Sequence, residues 1–362
     1  MKFIELFAGI GGFRLGLERT GHQCVWANEW LEKPRRIYAK QFGDKPDGRD
    51  IRTIRAEDIP EADFICGGFP CATFSIAGKR AGFSLEDTRG TLAFEMFRLA
   101  RDKGIPYIFF ENVKGLLNHD NGRTFGIILE VLDGMGYDAQ WELLDSQNFG
   151  VPQHRERVFL IASARGKPRP KVFPIGQSGE KNDREKTYGA EFLQFIRREN
   201  KFRKFSDGIS PTLLAHMGTG GNNVPFVTGR DPKMVNVFPT IDGHYWKGIQ
   251  NNQGRGAVFI HYMAHTKSNM TERNRESDYI WGLDASPQNK MGVSLDGFKI
   301  RKLTPKECER LQGFPDDFTK HMLMDDGSLK ETPDSERYER CGRTVTVPVI
   351  EAIGRKFGYE WY

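Results

Sequence analysis

Between residues 3 and 162 the chain alternates short, continuous apolar runs with stretches of helical period. The apolar runs fall at 3–7, 24–28, 64–66, 107–110 and 157–162, and the helical patterns at 13–20, 91–101 and 124–135. A run that is apolar at nearly every position, as 3–7 is apart from Glu5, belongs to a strand buried on both faces. Such strands alternating with helices predict a doubly wound α/β sheet.

After Ala164 the texture changes. Gly166-Lys167-Pro168-Arg169-Pro170 reads as a linker, and the stretch up to residue 300 is rich in Gly, Asn and Pro with weak periodicity. Irregular strands and loops are expected there. Helical character returns at 304–312, where Thr304 is placed as N-cap, Pro305 at the first helical position and Glu307 at the third. A last helix is expected over 347–357. The charge follows the same division. Residues 166–300 carry 20 Lys/Arg against 13 Asp/Glu, while the rest of the chain carries 33 against 35. A basic second lobe on a neutral body suits a polyanionic partner, although a solvated basic surface would have the same composition. No stretch approaches the ~20 apolar residues of a membrane helix, and the first seven residues read as a buried strand, not a signal peptide. A cytoplasmic protein is expected. The five cysteines are scattered, with no CxxC or Cys/His cluster, so neither a zinc site nor a disulfide framework is expected.

Phe7-Ala8-Gly9-Ile10-Gly11-Gly12 stands where the first strand turns into its helix. Glycines there let a ligand approach the backbone beside a positive helix N-terminus. Alone, the loop serves equally well as a tight turn, and it departs from the dinucleotide spacing because position 14 is Arg. Glu29 closes the second strand in Asn28-Glu29-Trp30, where a carboxylate can bond both hydroxyls of a ribose and Trp30 offers adenine a stacking face. Asp50-Ile51 is expected at the end of a third strand, suited to the adenine amino group and ring. Together these residues fit a nucleoside cofactor without a pyrophosphate.

Gly67-Gly68-Phe69-Pro70-Cys71 follows the strand ending at Cys66, which puts Cys71 at the carboxyl edge of the sheet, where open α/β folds bind ligands. A lone cysteine is more often packing than a nucleophile. A Gly-Pro turn beside a basic loop reverses that preference. The following segment, 75–90, has the look of a mobile lid, with Ser75, Lys79, Arg80 and Arg89 facing phosphates. Glu111 ends the next strand at the same edge. Gln153-His154-Arg155-Glu156-Arg157 leads into the last strand, with Arg155 and Arg157 on one face.

In this order the motifs resemble those of the bacterial DNA (cytosine-5)-methyltransferases of restriction-modification type, over essentially the whole chain. The resemblance implies a Rossmann-like, S-adenosylmethionine-dependent catalytic domain over 1–165. It further implies a smaller, irregular target-recognition domain and hinge over 166–336, and a segment, 337–362, returning to the catalytic domain. Cofactor contacts would come from Phe7, Ala8, Gly9, Gly11, Gly12, Gly68, Pro70, Leu92, Arg343 and Val345, beside Glu29, Trp30, Asp50 and Ile51. Cys71 would add to C6 of a cytosine flipped out of double-stranded DNA, so that C5 takes a methyl group. Glu111 would hold the base by N3 and its exocyclic amine, Arg157 would steady the same site, and Arg155 would lie near the nucleophile. Pro211-Thr212-Leu213 and the glycines of 218–223 resemble the core of the recognition region, making Thr212, Leu213, Gly220 and Gly221 candidate DNA contacts. A structural Gly-rich loop is the alternative there. A bacterial, monomeric enzyme without metal is expected, and no restriction endonuclease is physically required.

Two positions depart from the family pattern. Pro-Cys-Gln is replaced by Pro-Cys-Ala at Ala72, and Gly-Asn-x-Val by Gly342-Arg343-Thr344-Val345. Ala72 opens space, and Arg343 adds a permanent cation with five donors. Either this is ordinary drift, or the pocket has been altered, by nature or by engineering, to admit a bulkier or carboxylated analogue of S-adenosylmethionine. Two alternative functions stand beside DNA methylation: a transfer-RNA cytosine-5 methyltransferase and a catalytically silent base-flipping DNA-binding protein. The long recognition region favours DNA. The intact Cys71, Glu111, Arg155 and Arg157 favour catalysis.

Overall fold

The computed structural model describes residues 1–69, 92–175, 210, 212–213 and 303–359, and only the backbone of seven short strands between 191 and 302. The body runs β1 (Lys2–Leu6), α1 (Gly12–Glu18), β2 (Gln23–Asn28), α2 (Glu32–Phe42), β3 (Phe64–Gly67), α3 (Leu92–Lys103), β4 (Tyr107–Val113), α4 (Arg123–Gly134), β5 (Tyr137–Asp145) and β6 (Glu156–Ala164). Its sheet has the order β2-β1-β3-β4-β6-β5. The first four of these strands are parallel, and β6 is antiparallel to both neighbours. From β1 the chain moves out to β2 and then returns to β3 on the other side. The loop at 7–12 therefore opens at the switch point, where ligands of such sheets bind.

The continuous apolar runs resolve into two faces. Ile4, Leu6, Ile65, Ile108, Phe110, Val158 and Leu160 pack with residues of α3 and α4. Their neighbours Phe3, Phe64, Phe109, Phe159 and Ile161 pack on the other face with α1 and with the last helix, α7 (Val347–Tyr359). Both faces are covered, so these strands are apolar at most positions, with Glu5 in β1 and Glu111 and Asn112 in β4 as buried polar exceptions. Phe357 of α7 seats edge-on against Phe64, the ring centroids 4.9 Å apart. Full burial of such a ring contributes about 1.5–3 kcal/mol.

Between β6 and the C-terminal region lies a second sheet, order β12-β8-β7-β9-β13, antiparallel throughout. It is built from β7 (Glu191–Ile196), β8 (Lys201–Phe205), β9 (Phe226–Gly229), β12 (Tyr279–Trp281) and β13 (Lys299–Lys302), with a separate hairpin of β10 (Met263–Thr266) and β11 (Asn269–Glu272). The chain then forms α5 (Pro305–Leu311), the hairpin β14 (His321–Leu323) and β15 (Leu329–Glu331), and α6 (Asp334–Arg343) before α7. Thr304 caps α5 as expected, its hydroxyl accepting from Glu307 N while the Glu307 carboxylate accepts from Thr304 N. Phe314, Phe318 and Met322 pack on Ile10 and Ile37, so residues after Leu303 lie against the first sheet's body. Among the described residues no helix is long and apolar enough to cross a membrane.

In places the structure departs from what the sequence suggests. Asp50-Ile51 ends no strand. Asp50 accepts from Arg52 N and opens a short 3-10 turn, Ile51–Thr53, and the third strand of the sheet is β3. A short Asp side chain bonding its own backbone competes with a strand ladder. Helices α2 and α6 and strand β5 escaped the periodicity reading. In α6 the buried face is largely Glu336, Arg337 and Arg340, paired charges in place of an apolar stripe. β5 pairs on one side only and alternates loosely.

Candidate active site

A cavity of about 760 Å³ runs along the carboxyl edge of the sheet. One end is formed by the turn after β1 and the end of β2. Phe7 holds a left-handed φ of 53°, uncommon for a bulky residue and a sign of strain at a working turn. Gly12 has no room for a side chain, since a Cβ there would lie 2.5 Å from Thr344 Oγ1 and 2.8 Å from Val345 Cγ2. Glu29 is buried, and its two oxygens accept from Gly9 N and Leu31 N, each at 2.9 Å. A carboxylate has about four acceptor sites, so this leaves lone pairs for hydroxyl groups. Trp30 lines the same space with 62% of its surface exposed, an open face for a flat ring. Asp50 is held below the usual carboxylate range by hydrogen bonds from the Arg52 side chain and backbone.

The other end is formed by β4, the approach to β6 and the C-terminal region. Glu111 lies inside β4, its Oε1 paired with Arg157 Nε at 3.0 Å. Gly68 leaves it room, for a Cβ there would come within 3.0 Å of Glu111 Oε2. Asn112 Nδ2 donates to the Phe69 carbonyl at 3.0 Å, which fixes the chain two residues before Cys71. Arg155 and Arg157 line one cavity, as the two-residue spacing predicts, but do different things. Arg155 is buried and donates to backbone: to Leu213 O at 2.9 Å, Thr344 O at 2.8 Å and Gly342 O at 3.3 Å. Burial, and then the charge of Arg157, push its pKa down to about 9, with Glu111 opposing.

Of the residues singled out from sequence, Phe7, Ala8, Gly9, Gly12, Glu29, Trp30, Asp50 and Ile51 line the cavity at one end. Gly68, Leu92, Glu111, Arg155, Arg157, Leu213, Arg343 and Val345 line the rest of it. Gly11 is close instead to the Phe42 ring, and the Thr212 hydroxyl donates to His154 O. Pro70, Cys71, Ala72, Ser75, Lys79, Arg80, Arg89, Gly220 and Gly221 lie outside the described residues. Arg343 is half-exposed and pairs with Glu339 at 2.8 Å, one turn back on α6. Arg340 also lines the cavity and was missed. Its signal was present, three residues before Arg343 and hence on the same helical face.

The family model for the C-5 cytosine-specific DNA methylases matches residues 1–358. The type II methyltransferase M.HhaI of Haemophilus parahaemolyticus is 30% identical, across 99% of this chain and 94% of its own length. M.NgoBI of Neisseria gonorrhoeae, another type II methyltransferase, is 34% identical across 97% and 91%. In fold, the chain is similar to the S. pombe Dnmt2 methyltransferase, with a TM-score of 0.55 at 15% identity over 97% of this chain and 96% of that one.

Proposed function

The chain belongs to the C-5 cytosine-specific DNA methylase family, and from that footing we propose how its cavity works. It is a sequence-specific DNA (cytosine-5)-methyltransferase dependent on S-adenosylmethionine. The fit of the cofactor rests on Glu29, whose free lone pairs suit ribose hydroxyls, in a cavity that Gly9 and Gly12 also line. Trp30 would stack on the adenine, Asp50 and Ile51 would border it, and Phe7, Ala8, Gly9, Gly11, Gly68, Pro70, Leu92 and Val345 would complete the wall. When bound, the sulfonium supplies the alkyl group that is transferred.

The chain's own residues do the rest. C5 of cytosine is a poor nucleophile, and a Cys71 thiolate adding to C6 makes it an enamine-like carbon. Glu111 holds the base by N3 and its exocyclic amine, and Arg157 keeps that carboxylate aimed. Loss of the C5 proton and expulsion of Cys71 finish the turnover. A stacked base cannot reach this site, so the cytosine is flipped out. Ser75, Lys79, Arg80 and Arg89 would meet phosphates, and Thr212, Leu213, Gly220 and Gly221 the recognition sequence. Residues 166–336 would act as recognition domain and hinge, the part after Leu303 packing on the body, and 337–362 would return to it. A monomer in a bacterial cytoplasm fits this reading and its bacterial relatives.

The observation that carries it is the Glu111–Arg157 pair in one cavity with Glu29. The test is covalent capture on duplex DNA containing 5-fluorocytosine, with transfer RNA as competitor. Capture by the wild type, absent in Cys71→Ser and resistant to transfer RNA, is expected. A wild type that forms no adduct sinks the mechanism.

A second reading concerns the donor. Arg343 puts a cation in the cavity wall, unfavourable beside a sulfonium unless an anion offsets it. Glu339 does so within the protein, and a carboxylated methyl group would do so from the donor. With Ala72 opening space, the pocket accepts a carboxylated or bulkier donor. Transfer from such an analogue should fall at least about tenfold in Arg343→Asn, the order expected for one charge-assisted hydrogen bond. Equal use by both proteins rejects the idea.

A further inference from the structure

Leu213 is held from both sides of its backbone by side chains of the catalytic body. Its N–H donates to Gln153 Oε1 at 2.9 Å, and its carbonyl accepts from Arg155 Nη1 at 2.9 Å. Both side chains then reach the C-terminal region. Gln153 Nε2 donates to Leu311 O at 3.0 Å and to Gln312 Oε1 at 3.2 Å. Arg155 Nη2 donates to Thr344 O and Gly342 O. Gln312 itself donates to Cys341 O at 2.7 Å and accepts from the Thr346 hydroxyl at 2.8 Å.

Gln153 and Gln312 are both fully buried. Neither touches the reacting end of the cavity, and the chemistry asks nothing of a neutral amide at these places. A buried amide network with its donors and acceptors engaged holds one arrangement, because moving one member leaves the others unpaired. Here that network ties a recognition-region residue to the strip 342–346, which closes over Gly12. Ser210 extends the connection, since Ser210 N donates to Pro152 O and His154 N donates to Ser210 O.

We propose that Gln153 and Gln312 are positioning residues that couple the recognition region to the donor end of the cavity, so that target DNA and cofactor bind cooperatively. The proposal rests on the reading that this cavity holds S-adenosylmethionine. A shift of Leu213 on DNA binding reaches Thr344 through Arg155 and Thr346 through Gln153 and Gln312, on either side of Val345, and by linkage a donor against Val345 biases Leu213 equally.

The test is calorimetric titration of the full chain with S-adenosylhomocysteine, with and without a saturating duplex carrying its methylation site. The duplex should tighten binding to the wild type by at least about fivefold, the lower end of ordinary couplings. In Gln153→Leu and Gln312→Leu that factor should fall below about twofold, while each binary constant stays within about threefold. A merely structural role would lower the melting temperature and the active fraction but leave the coupling factor alone. Coupling retained in both variants, or absent from the wild type, overturns the proposal. If the variants do not fold, amide exchange in the wild type decides. Slower exchange at Leu213 N–H with S-adenosylhomocysteine supports the coupling, and unchanged exchange overturns it. A wild type that does not bind S-adenosylhomocysteine rejects the cavity reading as well, an outcome distinct from loss of coupling alone.

Discussion

The two ends of the cavity each present a buried carboxylate, held in opposite ways. Glu29 is fixed by two backbone amides contributed within 31 residues of the start. Glu111 is fixed by a guanidinium from residue 157, beside a second one that gathers carbonyls from residues 213, 342 and 344. Amide dipoles hold an acceptor in place and leave it an acceptor. A cation also sets how much charge the base will meet. The cofactor end is thus a local shape, and the reacting end an electrostatic assembly drawn from the whole chain.

That contrast breaks if damage at one end is felt equally at the other. The largest effect is expected from Glu111→Gln. Turnover should fall about 10²–10⁴-fold, the range for losing a positioned acid or base, with the affinity for S-adenosylhomocysteine unchanged in calorimetry. A matching loss of cofactor affinity would merge the two ends into one unit. Glu29→Ala should do the reverse. Losing charge-assisted bonds costs roughly 1.5–3 kcal/mol, so cofactor affinity should fall about tenfold to a hundredfold while kcat at saturation changes little. Steady-state kinetics over a wide cofactor range would show the split.

The smallest effect sharpens the cofactor end. Glu5 sits fully buried beneath the glycine turn, accepting from Arg14 N at 3.2 Å and from the Tyr38 hydroxyl at 3.0 Å. Burial raises its pKa to about 8 against an ordinary 4.5, with both hydrogen bonds opposing the shift. Between those values the folded protein keeps a proton that the unfolded chain has released. This stabilisation is complete below the ordinary value and is lost as pH rises toward the folded one. The slope is at most about 1.4 kcal/mol per pH unit. Glu5→Gln should flatten that part of the decline in melting temperature between pH 5 and 8. An unchanged slope would mean that Glu5 is already ionised in the fold.

Much of the cofactor end was legible because it is local. A glycine turn, an acid at a strand end and an aromatic next to it all lie within 24 residues, from Phe7 to Trp30. Asp50 lines the cavity from a turn where a strand end was expected, since that turn depends on a side chain bonding its own backbone. At the reacting end, chemistry-bearing residue types and their order carried the reading of Glu111 and Arg157. Arg155 was legible as a residue of the site but not as a fastener, because its partners are backbone carbonyls without a side-chain signature. Helix α6 was illegible for a related reason: charges that neutralise one another in the fold look, in one dimension, like a solvated surface.

The packing of α7 on Phe3 and Phe64 has a consequence for how the molecule is made. The first strand leaves the ribosome with one aromatic face bare, and the helix that covers it, Val347–Tyr359, is translated far later. At ordinary elongation rates that interval is on the order of tens of seconds. Throughout it the growing chain displays a Phe-rich surface, and the cradle at Gly12 lacks Thr344 and Val345. Nascent chains halted before α7 should therefore recruit chaperones and retain no cofactor, although every motif of the nucleotide end has already been synthesised.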